Sequence, residues 1–187
     1  YNSSDERTCT IYNDAFLPVS YTDEYGTTTT YTYDDKFQVT QEVVENETTT
    51  YTYDGAGHLQ EMTVRGNDEN STTTYTYDID GNVVHEQCDS NHSYYTYDSN
   101  KNVLVSATLK ENYSGEIPSL YDSSLTCFDT VVYTYDSSGR VLTETYSSGD
   151  SNAYVYDTVG NITQETVTTV ENGTPTTTVT NYTYDSL

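Results

Sequence analysis

The four-residue string Tyr-x-Tyr-Asp recurs along most of this chain of 187 residues. A repeat limits the fold strongly, because every copy must form the same unit and pack against the next one. Successive copies start 20, 24, 20, 38, 21 and 28 residues apart, as their positions in the sequence give. The seven copies are Tyr31–Asp34, Tyr51–Asp54, Tyr75–Asp78, Tyr95–Asp98, Tyr133–Asp136, Tyr154–Asp157 and Tyr182–Asp185.

Each repeat is predicted to form a β-hairpin. Tyr alternates with Thr, so in an extended strand the Tyr side chains share one face and the Thr side chains the other. The Asp then begins a turn in which its carboxylate accepts backbone N–H groups, and a Gly three residues later adopts positive φ. The turn residues predicted in this way are Asp54, Gly57, Asp78, Gly81, Asp136, Gly139, Asp157 and Gly160.

Tandem hairpins predict an all-β fold, an antiparallel meander that coils because long open sheets rarely stay flat. We expect one domain over residues 1–187, with degenerate repeats in 1–30, repeats in 27–106 and 130–187, and a longer loop or degenerate repeat in 107–129. Two pairs near the start, Tyr12-Asn13 and Tyr21-Thr22, resemble degenerate copies of the motif. Two later copies carry Phe37 and Lys101 in place of the Gly.

The stretch Tyr53-Asp54-Gly55-Ala56-Gly57-His58-Leu59 resembles the YD or RHS repeat, and the resemblance extends over nearly the whole chain. Repeats of that family form a spiralling β-sheet in bacterial Rhs proteins, in toxin-complex shells and in teneurin adhesion receptors. The resemblance implies an extracellular or exported protein that encloses toxins, contacts cell surfaces or binds glycans. It implies no catalytic machinery within the repeats.

Composition excludes several partners. The chain has 30 acidic residues against 6 Lys and Arg, a net charge of -24, so it lacks the cationic surface that nucleic acid requires. No apolar run is long enough for a membrane span. Low hydropathy would permit disorder, but 22 Tyr and the many Thr favour strands over disorder.

No residue pattern indicates an enzyme or a metal centre. Nothing suggests a nucleophile activated by an oriented base. His58, His85 and His92 lie at no recognised ligand spacing, and we expect them at surface strand positions. The segment Asp78–Asn82 alternates oxygen-bearing side chains as calcium loops do, but it lacks the closing Glu; we expect no cofactor, with calcium as the alternative.

Cysteines and sequons leave modification open. Cys9, Cys88 and Cys127 allow at most one internal disulfide, and their pairing is undetermined. Asn-x-Ser/Thr sequons occur at Asn2, Asn46, Asn70, Asn91, Asn112, Asn161, Asn172 and Asn181, which are the candidate glycosylation sites.

The sequence thus favours a non-enzymatic, extracellular structural protein that associates with itself. The final motif at Tyr182–Asp185 lacks a return strand, so we expect another copy to complete the sheet end to end by strand addition. The alternatives are a cell-surface adhesion or carbohydrate-binding module whose partners are surface glycans, and a fragment of a larger Rhs-type shell.

Overall fold

A computed structural model of the chain describes residues 8–66, 70–111, 113 and 125–185. Within them, fifteen strands account for nearly all regular structure, and one turn of 3₁₀ helix, Leu125–Cys127, precedes β11. The strands are β1 Cys9–Tyr12, β2 Pro18–Thr22, β3 Thr28–Tyr33, β4 Val39–Val44, β5 Glu47–Tyr53, β6 Leu59–Arg65, β7 Asn70–Tyr77, β8 Val83–Cys88, β9 Asn91–Tyr97, β10 Val103–Leu109, β11 Phe128–Tyr135, β12 Val141–Tyr146, β13 Ser151–Tyr156, β14 Ile162–Glu171 and β15 Thr174–Asn181.

The strands pair in sequence order in one open antiparallel sheet. This confirms the predicted all-β meander of hairpins. The register shifts by one residue at the end of several Tyr strands, for example between Thr32 and Tyr33 where β3 meets β4. Such a shift is what a bulge beside a tight turn produces.

Contacts divide the chain into two compact units. The first comprises Tyr1–Thr76 with Glu86–Ser90, and the second comprises Tyr77–His85 with Asn91–Leu187. In β3 of the first unit, exposure alternates with period two: Thr28, Thr30 and Thr32 are exposed, whereas Thr29, Tyr31 and Tyr33 are half-buried, as predicted for the two Tyr.

The sheet has very little buried core. Of the described residues, four are buried: Thr73, Ala107, Cys127 and Phe128. Tyr94 and Leu109 pack against the last three in the second unit. The sheet is therefore held by hydrogen bonds and half-buried Tyr rings more than by an apolar interior.

Strands extend from both sides into the segment 107–129, for which a longer loop or a degenerate repeat was predicted. Residues 107–109 continue β10, and Phe128 already begins β11, pairing with Leu109. The reason is burial, since Ala107 and Phe128 are each only 1% exposed. Most of the residues between them lie outside the described part, including Gly115, Pro118, Tyr121 and Asp122.

The described part of the chain contains no helix with the length and hydropathy of a membrane span.

Candidate functional site

The turn at Asp54 shows how the motif works. Its Oδ1 accepts the backbone N–H groups of Ala56 and His58 at 2.8 and 2.9 Å. The N–H of Gly57 donates to the Asp54 carbonyl at 3.1 Å, and the N–H of Asp54 donates to the His58 carbonyl at 2.9 Å. This is a type I turn closed by a bulge. The same bonds form at Asp34, Asp78, Asp98, Asp136 and Asp157.

The third residue after each of these Asp residues has positive φ. The glycines there are Gly57, Gly81, Gly139 and Gly160, with φ between 79° and 102°. Phe37 and Lys101, which replace Gly in two copies, adopt φ of 66° and 68°. The hydrogen bonds of the Asp therefore hold the turn even where an L side chain makes it unfavourable.

Two further turns near the start have the same bonding. Asn13 Oδ1 accepts the N–H groups of Ala15 and Leu17, each at 3.0 Å. Asp23 does the same for Tyr25 and Thr27. Consecutive turns of a meander lie at alternate ends of its strands. The turn at Asn13 therefore lies at the same end as the Tyr-Asp turns, and the turn at Asp23 lies at the opposite end. The degenerate copy of the motif is the one at Asn13, and Asp23 begins a connection at the other end.

The second Tyr of the motif ties one hairpin to the hairpin before it, a role that sequence reasoning missed. Tyr53 donates its hydroxyl to the carbonyl oxygen of Val39 at 2.7 Å. The acceptor is the first residue of the preceding return strand, which for Tyr33 is Pro18 of β2. Six of these bonds, between described residues, measure 2.6–2.9 Å; they run from Tyr33 to Pro18, Tyr53 to Val39, Tyr97 to Val83, Tyr135 to Val103, Tyr156 to Val141 and Tyr184 to Ile162.

Burial and the turn hydrogen bonds shift the pKa of several of these groups. Burial, and then the neighbouring Tyr133, raise the pKa of Tyr135 above its ordinary value. Burial followed by Asp34 does the same for Tyr53. Donors four residues on lower the pKa of five turn carboxyls, and at Asp54 the largest cause is the backbone N–H of His58; the five are Asp54, Asp78, Asp98, Asp136 and Asp157. The carboxylates thus stay ionised as acceptors, and the phenols stay protonated as donors.

Side chains also link successive turns. Arg140 binds Asp136 of its own turn at 2.7 Å and donates from Nη1 to the carbonyl of Asp157 at 3.2 Å in the next turn. It also lies 4.6 Å from the ring centre of Tyr156. In the first unit Gln38 donates to the Gly57 carbonyl at 2.9 Å.

Acidic side chains on the Tyr face serve as acceptors. Glu144 Oε2 accepts Asn152 Nδ2 at 2.8 Å and the hydroxyls of Tyr146 at 3.1 Å and Tyr154 at 3.4 Å. These groups satisfy one another's hydrogen bonds.

A shallow cavity of about 300 Å³ opens in the second unit; most of its lining residues carry a hydroxyl group, although more of the lining surface is apolar than polar. Its acidic residue is Asp129, which lies 3.8 Å from Lys110. Its lining is Ser106, Thr108, Asp129, Thr130, Val131, Tyr146, Ser147 and Ser148.

The metal and cysteine candidates have the following positions. Both carboxylate oxygens of Asp78 accept bonds within their own turn, from Asp80 and Asn82. Among the described residues no group of three or more His, Cys, Asp or Glu can hold a metal ion. The three cysteines are unpaired; Cys9 is exposed and Cys127 is buried.

All three histidines were expected at surface strand positions, and the structure differs for two of them. His85 and His92 are both half-buried and meet ring to ring, with Nε2 of His85 3.0 Å from Nδ1 of His92. Only His58 stays at a turn, bound to Asp54 at 3.1 Å.

The sequons fall into three groups. Asn46, Asn70, Asn91, Asn172 and Asn181 are exposed. Asn161 is partly buried and donates from Nδ2 to Asp157. Asn2 and Asn112 lie outside the described residues.

Tandem hairpins with Asp-bonded turns and Tyr-bonded strands define a YD-repeat sheet, which is a structural shell fold. The model of the teneurin YD-shell family matches residues 61–187, more than half of the sequence, so the chain belongs to this family. The hairpins before residue 61 repeat the same turn geometry. No curated protein was found to match the chain.

Solved structures agree on the fold. The crystal structure of TcdB2-TccC3-Cdc42 aligns over 95% of this chain and 9% of that chain, with 16% sequence identity and a TM-score of 0.69. TcdB2-TccC3 without its hypervariable C-terminal region aligns over the same shares with 15% identity and a TM-score of 0.69. This chain thus spans about a tenth of the length of these proteins, and at such identity the likeness shows the fold alone.

Proposed function

We propose that this chain is a wall segment of an exported YD-repeat shell, with a structural and not a catalytic role. The observation that carries the proposal is the way its hairpins join. Each adds to the last through strand pairing and, in six cases, through a Tyr hydroxyl on the preceding hairpin. A wall of this kind grows by repetition and needs no central core.

The comparisons support the same role. Membership of the teneurin YD-shell family supports a shell and an extracellular or exported location. The small share of the TcdB2-TccC3 structures that this chain spans supports a segment over a closed container. The fragment of a larger Rhs-type shell, one of the alternatives from sequence, is therefore the form of the proposal we favour.

Strand β15 is the surface through which the wall would continue. All eight of its residues are exposed, and none is charged. Only Pro175 at its second position opposes the addition of another strand. An exposed strand edge without charge is a template for pairing, here with a further YD-repeat strand of the same or another chain.

Self-association of the purified chain tests the proposal. Wild type should form larger species as concentration rises, as seen by light scattering and negative-stain imaging. Val179→Lys places a charge on β15 and should shift the protein toward the monomer. Val155→Lys is the matched control, because Val155 is 51% and Val179 52% exposed but Val155 lies on the interior strand β13. A wild type that stays monomeric, or equal behaviour of both variants, would contradict edge pairing.

A carbohydrate-binding role is the second candidate, favoured by the hydroxyl-lined cavity of β10–β12. Its volume of about 300 Å³ is at the small end of ligand pockets. Asp129 can accept hydroxyl hydrogen bonds, and Tyr146 offers an aromatic ring. A glycan array probed with wild type and Asp129→Ala tests this role. Binding that Asp129→Ala abolishes supports it, and no binding by the folded wild type eliminates it.

A further inference from the structure

Two of the three histidines of the chain meet in the second unit, on strands β8 and β9. Nε2 of His85 and Nδ1 of His92 are 3.0 Å apart, and the ring planes differ by 8°. The ring centres are 5.3 Å apart, which suits a hydrogen bond in the ring plane and not face-to-face stacking. One imidazole therefore donates its N–H to the bare nitrogen of the other.

We propose that His85 and His92 together bind one divalent transition-metal ion of the class that imidazole prefers, such as Zn²⁺ or Cu²⁺, with water filling the other positions. Zinc binds imidazole nitrogen at about 2.0–2.1 Å, so two tetrahedral ligands stand roughly 3.3 Å apart. The present separation of 3.0 Å differs from that by a few tenths of an ångström. The hydrogen bond holds the two ligands together before the ion arrives.

Binding requires a change of tautomer and a small swing of each ring. The proton shared between the two nitrogens moves to the far nitrogen of its own ring through solvent, which leaves both facing nitrogens bare. Each ring then turns its lone pair from the partner toward the ion. At neutral pH the pair therefore takes up the ion without net release of a proton.

Aromatic neighbours restrict the rings to this motion. Tyr94 stacks on His85 with ring centres 4.3 Å apart and planes 13° apart. Tyr94 is itself held edge-on by Phe128 at 5.5 Å, and Phe128 is fully buried. A ring stacked on one face can slide or swing in its plane more easily than it can tilt, and in-plane motion is what the site needs.

The charge of the chain also favours the ion. The net charge of -24 attracts dications to the surface. No third His, Cys, Asp or Glu joins the pair within the described residues, so we expect weaker binding than in four-ligand structural sites.

Copper titration of the full chain, followed by electron paramagnetic resonance, counts the nitrogen ligands directly. Wild type should bind one equivalent of Cu²⁺ with a hyperfine pattern of two nitrogens. His85→Gln and His92→Gln should each lose this pattern and weaken binding at least about tenfold. His58→Gln is the matched control, because His58 lies at a turn beside Asp54, and it should keep the wild-type spectrum. Far-ultraviolet circular dichroism verifies that each variant is folded.

A measurement on wild type alone tests the proposal even if the variants do not fold. In nuclear magnetic resonance spectra, substoichiometric Zn²⁺ should shift or broaden the imidazole signals of two histidines and leave those of His58 in place. Equal effects on all three histidines, or none, would overturn the proposal, as would an unchanged copper spectrum in folded His85→Gln and His92→Gln. In that case the pair only shares a proton.

Discussion

Tyr135 donates its hydroxyl to the carbonyl oxygen of Val103 over 2.7 Å, although 32 residues separate them. The same bond spans 14 residues from Tyr53 to Val39, 15 from Tyr156 to Val141 and 22 from Tyr184 to Ile162. The longer connection between β10 and β11 leaves the bond intact, because what matters is that the two strands are neighbours. The hydroxyl is therefore part of the repeat unit, and its removal is the most direct test of how hairpins are joined.

Tyr135→Phe should lower the free energy of unfolding by about 1 kcal/mol, the net value of one hydrogen bond in a protein. Tyr133→Phe is the control, because Tyr133 lies two residues earlier on the same face and its hydroxyl makes no hydrogen bond within the described part of the chain. Urea denaturation followed by circular dichroism measures both. Equal losses in the two variants would show that the bond to Val103 contributes nothing.

The glycines of the Asp54 turn should differ sharply in their tolerance of alanine. Gly57 has φ of +93°, so Gly57→Ala should cost about 1–2 kcal/mol. The added Cβ meets Gln38 at 3.6 Å, an ordinary contact, so the cost comes from the backbone and not from crowding. Gly55→Ala is the control, with nothing within 4 Å of the new Cβ, and should be neutral or slightly stabilising. Thermal unfolding of the two variants distinguishes them.

Phe37→Gly should stabilise the first unit by roughly 0.5–1 kcal/mol. The residue has φ of 66° and its side chain is 64% exposed, so glycine relieves strain and sacrifices little packing. The gain is smaller than the strain itself, because glycine also increases the entropy of the unfolded chain. Phe37→Ala keeps a side chain at positive φ and should bring no gain. If alanine stabilises as much as glycine, the benefit comes from removing the exposed ring.

Stability should fall steeply in acid below about pH 4. The pKa of Asp54, Asp78, Asp98, Asp136 and Asp157 is lower in the folded chain than the ordinary Asp value of about 3.9. Their contribution is therefore complete above that value and is lost as pH falls through the folded pKa.

Urea midpoints from pH 7 to pH 3, at low and high salt, measure this loss. High salt should leave the loss below pH 4 in place, because it comes from short hydrogen bonds of the turn carboxylates and not from long-range repulsion. A steady increase of stability down to pH 3 would mean that the turn carboxylates do not hold the turns.

Alkaline pH should also destabilise the sheet. Burial raises the pKa of Tyr33, Tyr53, Tyr97 and Tyr135 in the folded chain. Their contribution is complete below the unfolded value of about 10 and is lost as pH rises through the folded pKa. Absorbance at 295 nm should show part of the 22 Tyr titrating late and together with unfolding. Titration of all Tyr near pH 10 without loss of β structure would contradict this.

Much of the fold was predictable because its rules are local. The hairpin turns follow from Asp at one position and Gly three residues later, and the turn at Asp54 has the expected bonds. The alternation of Tyr and Thr predicted which residues of β3 share a face. The sequence also indicated a degenerate copy at Tyr12-Asn13, and the turn there has the expected bonds because Asn accepts the same backbone N–H groups as Asp.

The contacts between hairpins were not predictable in this way. Nothing local shows that the Tyr135 hydroxyl reaches Val103 or that Phe128 is buried beside Tyr94, because partners on neighbouring strands depend on the register of the whole sheet. The pairing of His85 with His92 belongs to the same class, since seven residues of sequence separate two rings that a hairpin brings to 3.0 Å.

The repeating unit is encoded locally: a Tyr and Thr strand, an Asp turn and a return strand. The way units are joined, through Tyr hydroxyls on distant carbonyls, and the side chains that meet in a cavity or a histidine pair depend on the folded sheet. A turn closes by bonds within five residues, whereas contacts between strands exist only after the sheet has set their register.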